Sequence, residues 1–86
     1  MISERESQTF FFEGSPVGYF SAESFPMAPG RYPYMPYRSA AHYRLVAALK
    51  SVGPQQCHHI VGDEKRQFTV SAWISYGVLE LTDFES

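Results

Sequence analysis

Eighty-six residues, 44% of them hydrophobic and 16% aromatic but only 19% charged, with a formal net charge of -2, describe one small and nearly neutral domain. The length excludes a second domain of ordinary size, which needs roughly 100–200 residues, and the apolar content excludes wholesale disorder. One cysteine, Cys57, leaves no internal disulfide to staple a chain that buries only about 60% of its unfolded surface, so a partner or self-association matters to its stability. No basic, apolar and small-residue succession opens the sequence and no run approaches roughly 18 apolar residues, so the reading is of a chain with no leader or membrane span in a reducing, cytoplasmic setting.

In chain order, residues 1–7 are polar and read as a frayed tail, leaving 8–86 as a single α+β domain. Gln8 to Glu13 carries three consecutive phenylalanines, Val17 to Ala22 carries Val17, Tyr19 and Phe20, and Gly14-Ser15-Pro16 between them is turn chemistry. Together they predict an N-terminal β-hairpin with an edge strand. Phe25 to Arg38 holds Pro26, Pro29, Pro33 and Pro36, each of which removes a backbone donor and pins φ. This stretch is expected to run extended over the surface as a Pro/Tyr-rich connection rather than as a central strand.

Ser39 to Gly53 reads as the single helix. Ser39 is the N-cap, Leu45, Ala48, Leu49 and Val52 share one face, and Gly53-Pro54 ends it. Alternation of Tyr43, Leu45, Ala47 and Leu49 leaves a strand as the competing reading. Cys57 to Val61 is a short strand, Gly62 to Lys65 a turn, and Arg66 to Ile74 a strand with Phe68, Val70, Ala72 and Ile74 on one face. Trp73 breaks that alternation, marking either a second apolar surface or a bulge. Ser75-Tyr76-Gly77 turns the chain into Val78 to Asp83. The expected fold is a small antiparallel sheet of about five short strands with one helix.

The small net charge conceals a pattern. Up to residue 23, Glu4, Glu6, Glu13 and Glu23 against Arg5 give -3; Ser24 to Gly62 holds no acid and Arg31, Arg38, Arg44 and Lys50 give +4; the remainder returns to -3. The basic third also contains every histidine and Tyr32, Tyr34, Tyr37 and Tyr43. If these share a face, the molecule is polarised.

Four chemistries fit residues in that third. His42, Cys57 and His59 suit a zinc site or a cysteine nucleophile with a histidine base, although no paired ligand spacing accompanies them; the competing reading is a core thiol with ordinary strand histidines, and no cofactor is expected. Arginines interleaved with tyrosines suit single-stranded nucleic acid, but a sequence pI near 5.8 and the acidic arms make that partner disfavoured. Pro33-Tyr34-Met35-Pro36-Tyr37-Arg38 resembles the P-x-x-P-x-R ligands of SH3-type domains.

Protein recognition, the fourth, is the reading we favour. Tyr32, Tyr34, Met35, Tyr37 and Arg38 are residue types enriched in interface cores, and Arg31 and Arg44 would orient an acidic protein partner. The alternative for the tyrosines is burial against the sheet. The chain is thus expected to be a non-enzymatic interaction domain of inhibitor, immunity or adaptor type, with no membrane partner. Homodimerisation through an edge strand at Phe10 to Phe12 is a further assembly open to it.

Overall fold

The structure is a computed structural model that describes residues 8–21 and 24–84; the expected tail at residues 1–7 lies outside the described residues. Among the described residues six strands, β1 (Thr9–Phe12), β2 (Ser15–Phe20), β3 (Gly30–Pro36), β4 (Gln55–Val61), β5 (Glu64–Ser75) and β6 (Val78–Thr82), and one helix, α1 (Ala40–Ser51), follow one another with α1 between β3 and β4. All neighbouring strands are antiparallel and close into a barrel in the order β1-β2-β3-β6-β5-β4.

The expected mixture of one helix and an antiparallel sheet is present, but the sheet is closed and has six strands instead of about five. The extra strand is β3, inside the segment that its prolines had assigned to an extended covering connection. The reason is a stagger in its pairing. Residues Gly30 to Pro33 face β6 and residues Tyr34 to Pro36 face β2, so each proline stands at the end of a ladder, where a missing N–H interrupts little. Tyr34 N–H donates to Gly77 and Tyr37 N–H to Val17, while Ser21 N–H donates to the Pro33 carbonyl. The P-x-x-P-x-R run is therefore barrel wall and does not take the free polyproline form that SH3-type domains engage.

Closure depends on β1 meeting β4, with Phe10 opposite His59 and Phe11 opposite His58. The hairpin that was expected to offer a free edge is thus paired on both sides, which removes the edge-to-edge route to a homodimer at Phe10 to Phe12. Its turn is Glu13-Gly14, both with positive φ, one residue earlier than expected.

Bulges bend the strands round the ring. In β2, Val17 is the extra residue between the pairs Phe10–Gly18 and Phe11–Pro16. In β5, extra residues at Ser71 and Ile74 shift the register twice. The first explains Trp73: Phe68 and Val70 point inward, Ser71 adds one residue, and Trp73 rather than Ala72 comes to lie opposite inward-facing Leu79. The expected single face of Phe68, Val70, Ala72 and Ile74 is broken at that point.

The interior is aromatic. Phe10 stacks on Phe20 with centroids 4.7 Å apart and meets Tyr34 and Phe68 edge to face. Val17, Val70, Leu79, Leu81 and Cys57 fill the remaining space. The helix lies against β1, β2, β4 and β5 and adds Ala41 and Leu45 to the core. Ser39 caps it, accepting from His42 N–H and donating to the Pro16 carbonyl, which ties its first turn to β2. Ala48 and Leu49 pack as expected, but Val52, at the C-cap, is 80% exposed. Gly53 leaves the helix with φ +127, a conformation other residues rarely adopt.

Gly18 is fixed by space rather than by φ. A Cβ there would run into the Met35 carbonyl oxygen and the Cα of Pro36 on β3, so Gly18→Ala must push β2 from β3. We expect this substitution to cost about 2–3 kcal/mol, read as a lower urea midpoint at unchanged slope; an unchanged midpoint would show that the strands separate freely.

Candidate functional site

Alternation along β3 divides the residues expected to form a binding face. Tyr34 is core, 2% exposed. Tyr32 packs edge-on to Phe20 and donates its hydroxyl to the Ala28 carbonyl. Tyr37, just beyond the strand, is half-buried beside Tyr19, with its hydroxyl 2.9 Å from Thr9 Oγ1. Arg31, Met35 and Arg38 are exposed. The arginines also interleave with acids from the flanking segments, Arg31 with Glu80 and Arg44 with Glu13, both at 3.5 Å. The linear -3, +4, -3 pattern is therefore partly neutralised across strands.

The histidines and the cysteine are likewise kept apart. Cys57 points into the core, where burial pushes its thiol up to about 12, far from a thiolate at neutral pH. His59 stacks flat on Phe25, centroids 3.6 Å apart, and His58 stacks on Phe11 on the outer face. His42 sits in α1 against Tyr34. Among the described residues no three His, Cys, Asp or Glu side chains form a metal-ligating group.

A different set of residues does converge. One turn apart along α1, Tyr43, Val46, Ala47 and Lys50 form a stripe beside the core-facing one. Together with His42, Trp73 and Tyr76 they line a groove of about 350 Å³, within the size of ordinary ligand sites. Trp73 lies beneath Lys50, whose Nζ is 4.6 Å from the ring centroid. Tyr43 and Tyr76 are 68% and 77% exposed. Tyr19, Tyr32, Tyr34 and Tyr37 are all half-buried or buried, so the two fully exposed tyrosines fall on the same groove. No carboxylate among the described residues lines it.

Behind the groove is a buried polar pair. Tyr34 Oη and His42 Nε2 are 2.7 Å apart. Burial lowers the His42 pKa and raises that of Tyr34, which favours the neutral form of each, and the two share a hydrogen bond between Oη and Nε2. The Trp73 indole N–H stands near enough to Tyr34 to oppose the rise in its pKa, yet its geometry forms no hydrogen bond and it has no other acceptor. An unmet buried donor costs about 1–3 kcal/mol. The signals for this site were in the sequence: positions 43, 46, 47 and 50 have helical spacing, and Trp73 breaks the β5 alternation. Placing Tyr76 beside them required the barrel.

No known protein-family model, curated protein or solved structure matches the chain. The architecture itself defines a six-stranded closed antiparallel barrel with a helix inserted after the third strand. No helix among the described residues is long and apolar enough to cross a membrane.

Two outcomes follow from the buried groups. Burial holds His42, His58 and His59 below the ordinary 6.5, aided for His58 by Lys65 and for His59 by Arg66 and His58. Between those lowered values and 6.5 the unfolded chain binds more protons, so stability is fullest above 6.5 and is lost as pH falls through the folded values. The urea midpoint should drop from pH 7.5 to 5.5; a flat profile would contradict the histidine environments. In the native protein iodoacetamide should modify Cys57 only as fast as the barrel opens, so alkylation should accelerate steeply with urea, and rapid labelling without denaturant would refute the burial argument.

Proposed function

We propose that this protein is a small binding domain that acts by occupying a partner protein's surface rather than by catalysis, and that the groove between α1 and the β5–β6 turn is its contact site. The observation that carries this reading is the convergence of Tyr43 and Tyr76, exposed as no other tyrosine is, on an apolar groove containing Trp73 and Lys50. Tyrosine and tryptophan dominate the energetics of interfaces because each buries a large rigid surface at little cost in side-chain freedom and still offers a polar handle. A surface aromatic pair in so small a domain is otherwise a solubility burden.

The reading keeps the expected class of partner and moves the contact. Tyr34, expected to be an anchor, acts from beneath the groove by holding His42. Of the remaining candidates, exposed Met35 and Arg38 are available to a partner that extends beyond the groove, and Arg38 forms no ion pair among the described residues. A reducing, cytoplasmic setting goes with this reading, since the single cysteine provides no internal cross-link.

The test is a display experiment. Random heptapeptides panned on the protein should yield binders whose affinity falls at least tenfold on the Tyr43→Ala/Tyr76→Ala variant. Both side chains are exposed, so the variant should keep its circular dichroism and urea midpoint. Binders that hold equally well to both proteins, or panning that enriches none, would overturn the assignment of the groove.

A further inference from the structure

The groove also carries information about what it takes. Its walls are apolar or aromatic: Tyr43, Val46, Ala47, Trp73 and Tyr76. Its charge has one sign. Lys50 lies over Trp73, and no described carboxylate comes within 4.0 Å of it. Three described acids are engaged elsewhere, Glu13 with Arg44, Glu80 with Arg31 and Ser71, and Glu64 with Arg66. His42, one of the lining residues, has its Nε2 engaged with the Tyr34 hydroxyl, which fixes its ring beside the groove.

From this we infer that the groove recognises an aromatic side chain adjoined by a carboxylate, presented by an acidic peptide segment of the partner. The ring lies against Trp73 between Tyr43 and Tyr76, and the carboxylate meets the Lys50 ammonium. Lys50 is held over the indole in advance, so less side-chain freedom is lost when it pairs with an acid than for a lysine extended into solvent. A cationic ligand is disfavoured by the same arrangement, because nothing in the lining offsets a second positive charge beside Lys50. The volume suits this occupant: about 350 Å³ is near the lower end of the roughly 300–1,000 Å³ range of ligand sites, and so fits a short side-chain cluster rather than a cofactor.

This inference rests on the groove being the docking site, and the experiment separates the two. Trp73 is the chain's single tryptophan, so its fluorescence reports on the groove directly. Blocked peptides containing Glu-Phe, Gln-Phe and Lys-Phe are titrated into the wild-type protein, into Lys50→Gln and into Tyr43→Ala/Tyr76→Ala, with free phenylacetate as a fourth titrant. The wild type should bind the Glu-Phe peptide roughly fivefold more tightly than the Gln-Phe peptide, the size expected of a partly exposed ion pair, and the Lys-Phe peptide least. Lys50→Gln should bring the Glu-Phe and Gln-Phe affinities together while leaving the Gln-Phe affinity unchanged.

Equal affinity of the three peptides for the wild type, with the loss on the tyrosine variant retained, would overturn the carboxylate and leave the docking site standing. Peptide binding that ignores the tyrosine substitutions, or none at all, would overturn both. Phenylacetate binding at least as tightly as the Glu-Phe peptide would overturn the assignment to a peptide segment in favour of a free small molecule.

Discussion

Two residue pairs, Phe10 opposite His59 and Phe11 opposite His58, convert six strands into a ring, and almost every other feature of the molecule is arranged around that seam. An open sheet of this length would expose β1 and β4 as edges, with a row of unpaired backbone groups and an aromatic face on β1. Closure sends Phe10 and Phe12 inward, where Phe10 organises the Phe20, Tyr34 and Phe68 rings. The outer member of the seam, Phe11, is covered by His58. The inner histidine, His59, is covered by Phe25 from the β2–β3 connection, which also packs on Phe68. His59, one of the two histidines read as candidates for metal or base chemistry, and its neighbour His58 are therefore aromatic packing partners. Their depressed basicity follows from burial in this packing, with the nearby charges of Lys65 and Arg66 adding to it.

A closed ring forces its strands to tilt and stagger, and the stagger is what makes the prolines of β3 tolerable. Each half of β3 pairs with a different neighbour, so Pro33 and Pro36 fall where one ladder has just ended. Composition alone reads four prolines as an exclusion from a sheet, because a sheet is usually imagined with both ladders running the length of every strand. The local elements were legible for the opposite reason. The hairpin, the helix with its Ser39 cap and Gly53 stop, and the final strand pair are all written in turn and capping chemistry within a few residues. Closure, the bulges at Val17, Ser71 and Ile74, and the close approach that requires Gly18 depend on residues that meet only after the chain has returned on itself.

The charge pattern and the binding residues show the same division. Arg31 and Glu80 are far apart in sequence and opposite one another in the β3–β6 ladder, so a segment that is purely basic along the chain is locally neutral on the barrel. The tyrosine-rich run was read as one surface, but a strand has a period of two, and its aromatics were divided between core and solvent. Helical spacing carried the more durable signal. Positions 45, 48 and 49 face the barrel, and positions 43, 46, 47 and 50 form a second stripe that the barrel does not cover. A helix with two apolar stripes has more hydrophobic surface than one packing interface can use.

That surplus is the strongest physical argument for a partner. A domain of this size has a narrow stability margin, and its sequence invests most of its rings in the interior, where each contributes to the core. Placing Tyr43, Trp73 and Tyr76 around one groove between α1 and the β5–β6 turn gains less than burying them would, because the groove they frame stays open to water. The Trp73 indole N–H is left without an acceptor at the same place. Both are costs to the isolated molecule, and on the proposed reading the first of them, the wetted rings, is the one that an occupant of the groove relieves.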